Sequence, residues 1–123
     1  MLRILIVDDD LAMAQMLQMM LSLSGFEVEV VNSGEEALRA LAGPLPNGVV
    51  LDLMMPDVDG LTVLRRLRGQ AATRALPVVI LTARTDKATH TACLESGATD
   101  LLTKPVKREE LVTRLRQALA APA

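Results

Sequence analysis

Residues 3–10, RILIVDDD, decide the fold of this chain. Four apolar residues, 4–7, follow one another without alternation, and Asp8, Asp9 and Asp10 come directly after them. An unbroken apolar run of this kind is typical of a strand that is buried on both faces, as in a parallel sheet. Adjacent carboxylates repel one another and resist burial. Their place at the end of such a strand therefore indicates a special environment.

The rest of the chain repeats this arrangement, with a short apolar run followed by a helical segment. The predicted strands cover residues 3–7, 26–31, 48–53, 76–83 and 99–103, and the predicted helices cover residues 11–24, 32–43, 59–69, 86–96 and 107–120. Five such units predict an α/β domain with an open, doubly wound parallel sheet that helices cover on both faces. The second strand alternates at first, so we expect it near a sheet edge.

Local signals mark the ends of these helices. Gly25 is the predicted C-terminal cap of the first helix, and Ser33 and Glu36 stand at the spacing of a capping box at the start of the second. The apolar residues at helical spacing in the first helix are Leu11, Ala14, Leu17, Met20 and Leu21.

Composition and charge narrow the class of protein. A chain of 123 residues can enclose one core, and we expect residues 1–121 to form one domain, with residues 122–123 as a terminal tail or the start of a linker. A net charge of −2 and the lack of a basic stripe are not typical of nucleic-acid binding. The short apolar start is no signal peptide, which predicts a cytoplasmic protein. The single cysteine, Cys93, fits a reducing compartment and is expected half-buried on a helix.

Polar residues stand where the predicted strands end, and this is the edge at which open α/β sheets bind ligands. Carboxylates gathered there raise one another's pKa unless a cation joins them, and Mg²⁺ prefers such oxygen ligands. An aspartate among these partners can attack phosphorus as a nucleophile. Taken singly, each residue has a simpler interpretation: Asp10 as a helix N-cap, Asp52 as a turn residue, Lys104 as part of a loop. The residues of this edge are Asp8, Asp9, Asp10, Asp52, Thr82 and Lys104.

Four motifs together resemble the receiver domain of two-component response regulators: IVDDD (6–10), VVLDLMMPDVDG (49–60), VILTA (79–83) and ESGATDLLTKP (95–105). The resemblance extends from Arg3 to about Leu119. It implies a flavodoxin-like (βα)5 fold with strand order 2-1-3-4-5. It also implies a signalling domain that a sensor histidine kinase or phosphotransfer protein phosphorylates with Mg²⁺. Such a domain catalyses only its own phosphorylation and dephosphorylation.

The resemblance assigns a role to each motif residue. Asp52 would be the phosphoacceptor, Thr82 the switch hydroxyl and Lys104 the residue that pairs with the phosphoryl group. Pro105 would follow a cis peptide bond, and Leu101 stands where the family usually has an aromatic residue. The Mg²⁺ ligands, which Mn²⁺ could share, would be Asp8, Asp9, Asp52 and the backbone carbonyl of Met54. Met54 and Arg84, at two positions that tune phosphoryl lifetime in the family, predict a long-lived phosphoprotein.

The segments TAR (82–84) and EELVTRLRQAL (109–119) are most similar to receivers attached to winged-helix transcription factors. Those receivers pair through the face made by helix four, strand five and helix five, which makes a homodimer one expectation. Charged residues of that face are Asp100, Glu110 and Arg114. Two positions depart from the family pattern, since His90 replaces a basic residue and Ala121 replaces an arginine. We expect His90 to be an exposed helix residue without a ligand role.

Two other functions stay open at this point. An α/β hydrolase with Asp52 as its nucleophile would usually carry a second acidic residue at the position of Met54. A phosphorylation-independent pseudo-receiver would keep the fold for docking alone. The presence of all the key side chains argues against it, whereas Leu101 leaves the output step open. Nucleotide-binding folds are disfavoured because no glycine-rich phosphate loop follows strand one.

Overall fold

The computed structural model describes residues 1–120, in which five strands alternate with five helices. In chain order the elements are β1 (Arg3–Val7), α1 (Leu11–Leu23), β2 (Glu27–Val31), α2 (Gly34–Ala40), β3 (Gly48–Asp52), α3 (Gly60–Arg68), β4 (Val78–Thr82), α4 (Lys87–Glu95), β5 (Asp100–Thr103) and α5 (Arg108–Ala120). Every predicted element is present. The largest difference in length is at α2, which was expected over residues 32–43 and is shorter at both ends. The predicted domain end at residue 121, and with it Ala121, lies outside the described residues.

The strands form one parallel sheet in the order β2-β1-β3-β4-β5. This confirms the doubly wound fold and its strand order. Strand β2 lies at an edge, as its alternating sequence predicted, and its residues are exposed or partly buried. All residues of β3 and β4 are buried. The chain turns to the other side of β1 when it enters β3, so the carboxyl ends of β1 and β3 flank the switch in strand order.

Alternate residues of the strands point to opposite faces of the sheet and form two apolar clusters. Helices α2, α3 and α4 cover one face, where Leu5, Val49 and Ile80 contribute to the core. Helices α1 and α5 cover the other face, where Ile4, Val50 and Val79 do so. The helical residues of the two clusters include Ala37, Val63, Leu64 and Cys93 on the first face and Leu17, Leu21, Leu111 and Leu115 on the second.

One sequence-based expectation about burial was wrong. Cys93 is fully buried rather than half-buried, because α4 packs it into the first apolar cluster. Leu11 is 65% exposed, because α1 begins at this residue and its contact with the core starts one turn later, at Ala14.

Side-chain caps fix the helix starts as predicted. The carboxylate of Asp10 accepts a hydrogen bond from the Met13 amide, and the Ser33 hydroxyl accepts one from the Glu36 amide. Gly25 follows the end of α1 with a φ of 95°, a left-handed conformation that favours glycine. Among residues 1–120, none of the helices has the length and apolar character needed to cross a bilayer.

Candidate functional site

Four strands deliver polar side chains to one edge of the sheet. Asp8 comes directly after β1, Asp52 is the last residue of β3, Thr82 is the last residue of β4, and Lys104 comes directly after β5. Because the strands are parallel, these four carboxyl ends lie at the same edge. The structure therefore brings the predicted residues together around the switch in strand order.

Three carboxylates of this edge lie close together. Each of Asp8, Asp9 and Asp52 offers an oxygen, and these oxygens all lie within 4.8 Å of one another. Asp8 and Asp52 are buried, whereas Asp9 is exposed. Asp10 does not join the cluster but caps α1, as its simpler interpretation predicted. The strand end thus divides its three aspartates between the cluster and the helix.

Among the described residues, Lys104 supplies the positive charge that contacts this cluster. Its Nζ lies 3.3 Å from Oδ2 of Asp8 and 3.4 Å from Oδ1 of Asp52. The peptide bond between Lys104 and Pro105 is cis. The cluster thus holds three carboxyl groups and one ammonium, which contacts two of them, and it keeps an excess of negative charge that a divalent cation with oxygen ligands fits.

The electrostatics of Asp52 show the same excess. The pKa of this carboxyl is raised from 3.8 to about 6, chiefly because burial removes water from it; Lys104 opposes this rise, and the neighbouring Asp8 adds to it. Desolvation thus outweighs the single ion pair. Additional positive charge at the cluster would favour the ionised form of Asp52, the form that can act as a nucleophile.

The loop between β3 and α3 shapes one wall of the site. The amide of Met54 donates a hydrogen bond to Oδ1 of Asp52 at 3.4 Å, while the Met54 side chain is 55% exposed. Gly60 lies directly against the Asp52 backbone, and a Cβ at this position would collide with the Asp52 carbonyl oxygen. The Gly60 amide also donates to the Leu53 carbonyl at 2.9 Å. A residue without a side chain is therefore required here for the loop to fold back.

Thr82 lies on the other side of the site and is fully buried. Its hydroxyl oxygen accepts a hydrogen bond from the Arg84 amide at 3.0 Å. On the neighbouring strand, Leu101 pairs with Ile80 and packs against the first apolar cluster. Leu101, which by sequence resemblance stands at an aromatic position of receiver domains, is thus a partly buried aliphatic side chain without a hydroxyl.

Sequence reasoning missed one residue that holds the cluster. The side-chain amide of Asn32, directly after β2, donates to the backbone carbonyl of Asp8 at 3.1 Å. The Asp8 amide in turn donates to the carbonyl of Val31 at 3.2 Å. Asn32 therefore fixes the end of β1 from the neighbouring strand. The sequence signal that could have identified Asn32 is its place directly after a predicted strand, at the edge of the sheet where the site lies.

Some of the charged residues on the face of α4, β5 and α5 pair with each other within the chain. Arg114 donates two hydrogen bonds to Asp100, each at 2.6 Å, and this pair holds α5 to β5. The pairing raises the pKa of Arg114 above its ordinary value. Glu110 is exposed.

Comparison with known proteins gives a consistent family. Residues 4–116 match the model of the response regulator receiver domain. The chain is 46% identical over 117 residues to the response regulator MprA of Mycobacterium tuberculosis, covering 95% of this chain and 50% of that protein. A putative response regulator from Chloroflexus aurantiacus has a crystal structure that superposes with a TM-score of 0.93 at 41% identity, covering 97% of this chain and 98% of that one.

A further structure contains a bound metal ion. The receiver domain of a sensor histidine kinase from Pseudomonas aeruginosa, with a magnesium ion coordinated in its active-site cleft, superposes with a TM-score of 0.90 at 30% identity and covers 98% of each chain. The chain spans about half the length of the curated relatives that it matches.

Proposed function

Because the chain belongs to the family of response regulator receiver domains, we propose that Asp52 accepts a phosphoryl group from a sensor histidine kinase or a phosphotransfer protein. The observation that carries this proposal is the position of the Asp52 carboxyl group, which is buried between the Lys104 ammonium and the carboxylates of Asp8 and Asp9. In the reaction, an Asp52 oxygen forms a bond to phosphorus as the phosphorus–nitrogen bond of a phosphohistidine breaks. The histidine nitrogen keeps the electron pair of that bond, and a proton on the other ring nitrogen lets the ring leave as a neutral imidazole.

Asp8, Asp9 and Asp52, with the Met54 carbonyl, would hold the Mg²⁺ ion that neutralises charge on the phosphoryl oxygens, and Mn²⁺ could take its place. The clustering of the three carboxylates within 4.8 Å and the excess of negative charge support this assignment. A magnesium ion in the active-site cleft of the Pseudomonas aeruginosa receiver supports it as well.

The chain's other site residues would orient the phosphoryl group. Lys104 would exchange one of its carboxylate partners for a phosphoryl oxygen, since its flexible ammonium already reaches both Asp8 and Asp52. Thr82 would donate its hydroxyl proton to another phosphoryl oxygen and so act as the switch. Leu101 would contribute volume to this switch but no hydrogen bond.

We expect the phosphoprotein to be long-lived. Met54 places an apolar side chain beside Asp52, and Arg84 offers no general base to an attacking water molecule. After removal of the phosphoryl donor, the phosphorylated fraction should persist for minutes or longer, as measured by intact mass over time. Hydrolysis within seconds would contradict this expectation.

Further roles concern the whole protein. We propose that phosphorylation alters the face of α4, β5 and α5, and that this face is a candidate homodimer interface, as in receivers attached to winged-helix transcription factors. The pairing of Asp100 with Arg114 inside the chain leaves fewer free charges for such a dimer. We further propose that the protein acts in the cytoplasm, that this domain does not itself bind nucleic acid, and that it catalyses only its own phosphorylation and dephosphorylation.

No observation favours the pseudo-receiver alternative, because the residues that the chemistry needs lie together at one edge of the sheet. The hydrolase alternative lacks its second acid, since Met54 occupies that position.

The experiment that tests the proposed function is phosphorylation by a small-molecule donor. The protein is incubated with Mg²⁺ and acetyl phosphate, and its intact mass is measured alongside Asp52→Asn and Asp57→Asn, an exposed aspartate of the same loop. The wild type and Asp57→Asn should gain one phosphoryl group, and Asp52→Asn or added EDTA should prevent it. If the wild type gains no phosphoryl group with either Mg²⁺ or Mn²⁺, the proposed chemistry is wrong.

A further inference from the structure

A chain of hydrogen bonds connects Thr82 to helix α4 through the loop of residues 83–86. The Thr82 hydroxyl oxygen accepts the Arg84 amide proton at 3.0 Å. The carbonyl of the same residue, Arg84, lies 2.7 Å from Nε2 of His90, a distance at which the ring N–H donates to the carbonyl oxygen. Both peptide groups of Arg84 are thus engaged, one with the site and one with α4.

His90, which the sequence predicted to be an exposed helix residue, is partly buried. It lies in the first turns of α4 and directs its ring back over the loop. The physical reason is that the loop places the Arg84 carbonyl within reach of this ring. The ring N–H therefore donates its hydrogen bond to the Arg84 carbonyl and not to water.

A second connection holds the same loop to the same helix. The Arg84 side chain pairs with Asp86 at 2.8 Å, and Asp86 caps α4 by accepting hydrogen bonds from the Thr89 amide and hydroxyl. These bonds hold the pKa of the Asp86 carboxyl well below its ordinary value. The first turn of α4 and the loop are therefore one connected unit, with the Thr82 hydroxyl bonded to one end of it.

We infer that His90 is a positioning residue for Thr82: by holding the Arg84 carbonyl, it keeps the Arg84 amide bonded to the Thr82 hydroxyl. This inference rests on the proposed function in one respect, namely that the hydroxyl turns toward a phosphoryl group on Asp52. When it turns, the hydroxyl leaves the Arg84 amide, and the loop loses one of its two peptide anchors. The movement then reaches α4 through His90.

The connection from Thr82 through Arg84 to His90 matters in this chain because residue 101 is a leucine. A leucine at this position has no hydroxyl and no flat ring that could follow Thr82 into the site. The bonds from Thr82 to Arg84 and from Arg84 to His90 offer a path to α4 that does not involve residue 101.

The test compares the variant His90→Ala with two control variants. His90→Gln retains a side-chain N–H donor, and Thr91→Ala changes an exposed neighbour on the same helix. The first measurement is amide hydrogen exchange by NMR, made without Mg²⁺ and without a phosphoryl donor. Loss of one hydrogen bond should speed exchange at the Arg84 amide about fivefold in His90→Ala. Exchange in Thr91→Ala should match the wild type, and His90→Gln should lie nearer to the wild type than His90→Ala does.

The second measurement is the rate of phosphorylation by acetyl phosphate. His90→Ala frees the Thr82 hydroxyl more often, so its rate should rise by a similar factor, about fivefold. An unchanged Arg84 exchange rate, or equal or slower phosphorylation of His90→Ala, would overturn the inference. Faster exchange along all of α4 without rescue by His90→Gln would also overturn it, because His90 would then merely support the helix. A wild type that gains no phosphoryl group defeats the proposed function instead, and the exchange experiment distinguishes the two failures.

Discussion

Replacing Asp52 by asparagine should stabilise the metal-free protein at neutral pH, although it removes the proposed phosphoacceptor. Burial raises the pKa of Asp52 from 3.8 to about 6 in the folded protein. The unfolded chain exposes this carboxyl to water, where it ionises near its ordinary pKa. The folded protein therefore bears a cost whenever Asp52 is ionised.

The sign and size of the effect depend on pH. Below about pH 3, under both pKa values, the carboxyl is protonated in both states, and Asp52 adds no cost. As the pH rises from about 3 to 6, the unfolded chain loses this proton first, so the free energy of unfolding decreases. Above the folded pKa the cost levels off at about 3 kcal/mol, the value that corresponds to the pKa difference. Asp52 is only 6% exposed, so solvent screens little of this cost.

Asparagine is a suitable replacement because it has nearly the same size and carries no charge. Its side-chain oxygen can still accept the Met54 amide, and Lys104 keeps Asp8 as a partner. The loss of one partner of Lys104 opposes the gain. We therefore expect Asp52→Asn to be more stable than the wild type by up to about 3 kcal/mol at pH values above about 7, and equally stable near about pH 3.

The assay is urea unfolding in EDTA followed by far-UV circular dichroism, since the chain has no tryptophan or tyrosine. Free energies are compared across the pH range at constant m value. Asp57→Asn is the matched control, because the pKa of the exposed Asp57 is lowered, chiefly by the Val58 amide, and its replacement should act in the opposite direction. Parallel pH profiles for the wild type and Asp52→Asn, or a less stable Asp52→Asn above about pH 7, would refute the reasoning.

Three other perturbations test the same site. Mg²⁺ at about 100 times its dissociation constant should raise the free energy of unfolding of the wild type by about 2.7 kcal/mol, which is measured as a rise in the thermal unfolding midpoint. The same Mg²⁺ concentration should raise the midpoint of Asp8→Asn much less. Lys104→Met should destabilise the metal-free protein by about 3 kcal/mol in urea unfolding near neutral pH, because it leaves two buried carboxyl groups without their cation; an unchanged midpoint would count against the ion pairs. Gly60→Ala should cost about 2 kcal/mol because its Cβ meets the Asp52 carbonyl, whereas Gly69→Ala, with its nearest neighbour at 3.5 Å, should be nearly neutral; equal effects would contradict the proposed collision.

The sequence by itself determined the fold and the residues that meet at the site. Unbroken apolar runs such as residues 48–51 and 78–81 predict strands buried on both faces, and these runs alternate with helical segments. Both signals are local, since they depend on the period of apolar residues along a few turns or pleats. Once the strands are parallel, their carboxyl ends meet at one edge. The approach of Asp52 and Lys104 could therefore be predicted without coordinates.

The tertiary structure alone decided what each of these residues experiences. It buried Asp8 and left Asp9 exposed, although the two are neighbours in the chain. It also raised the pKa of Asp52 and turned the His90 ring toward the Arg84 carbonyl. These properties depend on which atoms of distant segments approach within a few ångströms and on how much water they displace. No periodicity in the sequence encodes such distances, because they arise only when the strands and helices pack together.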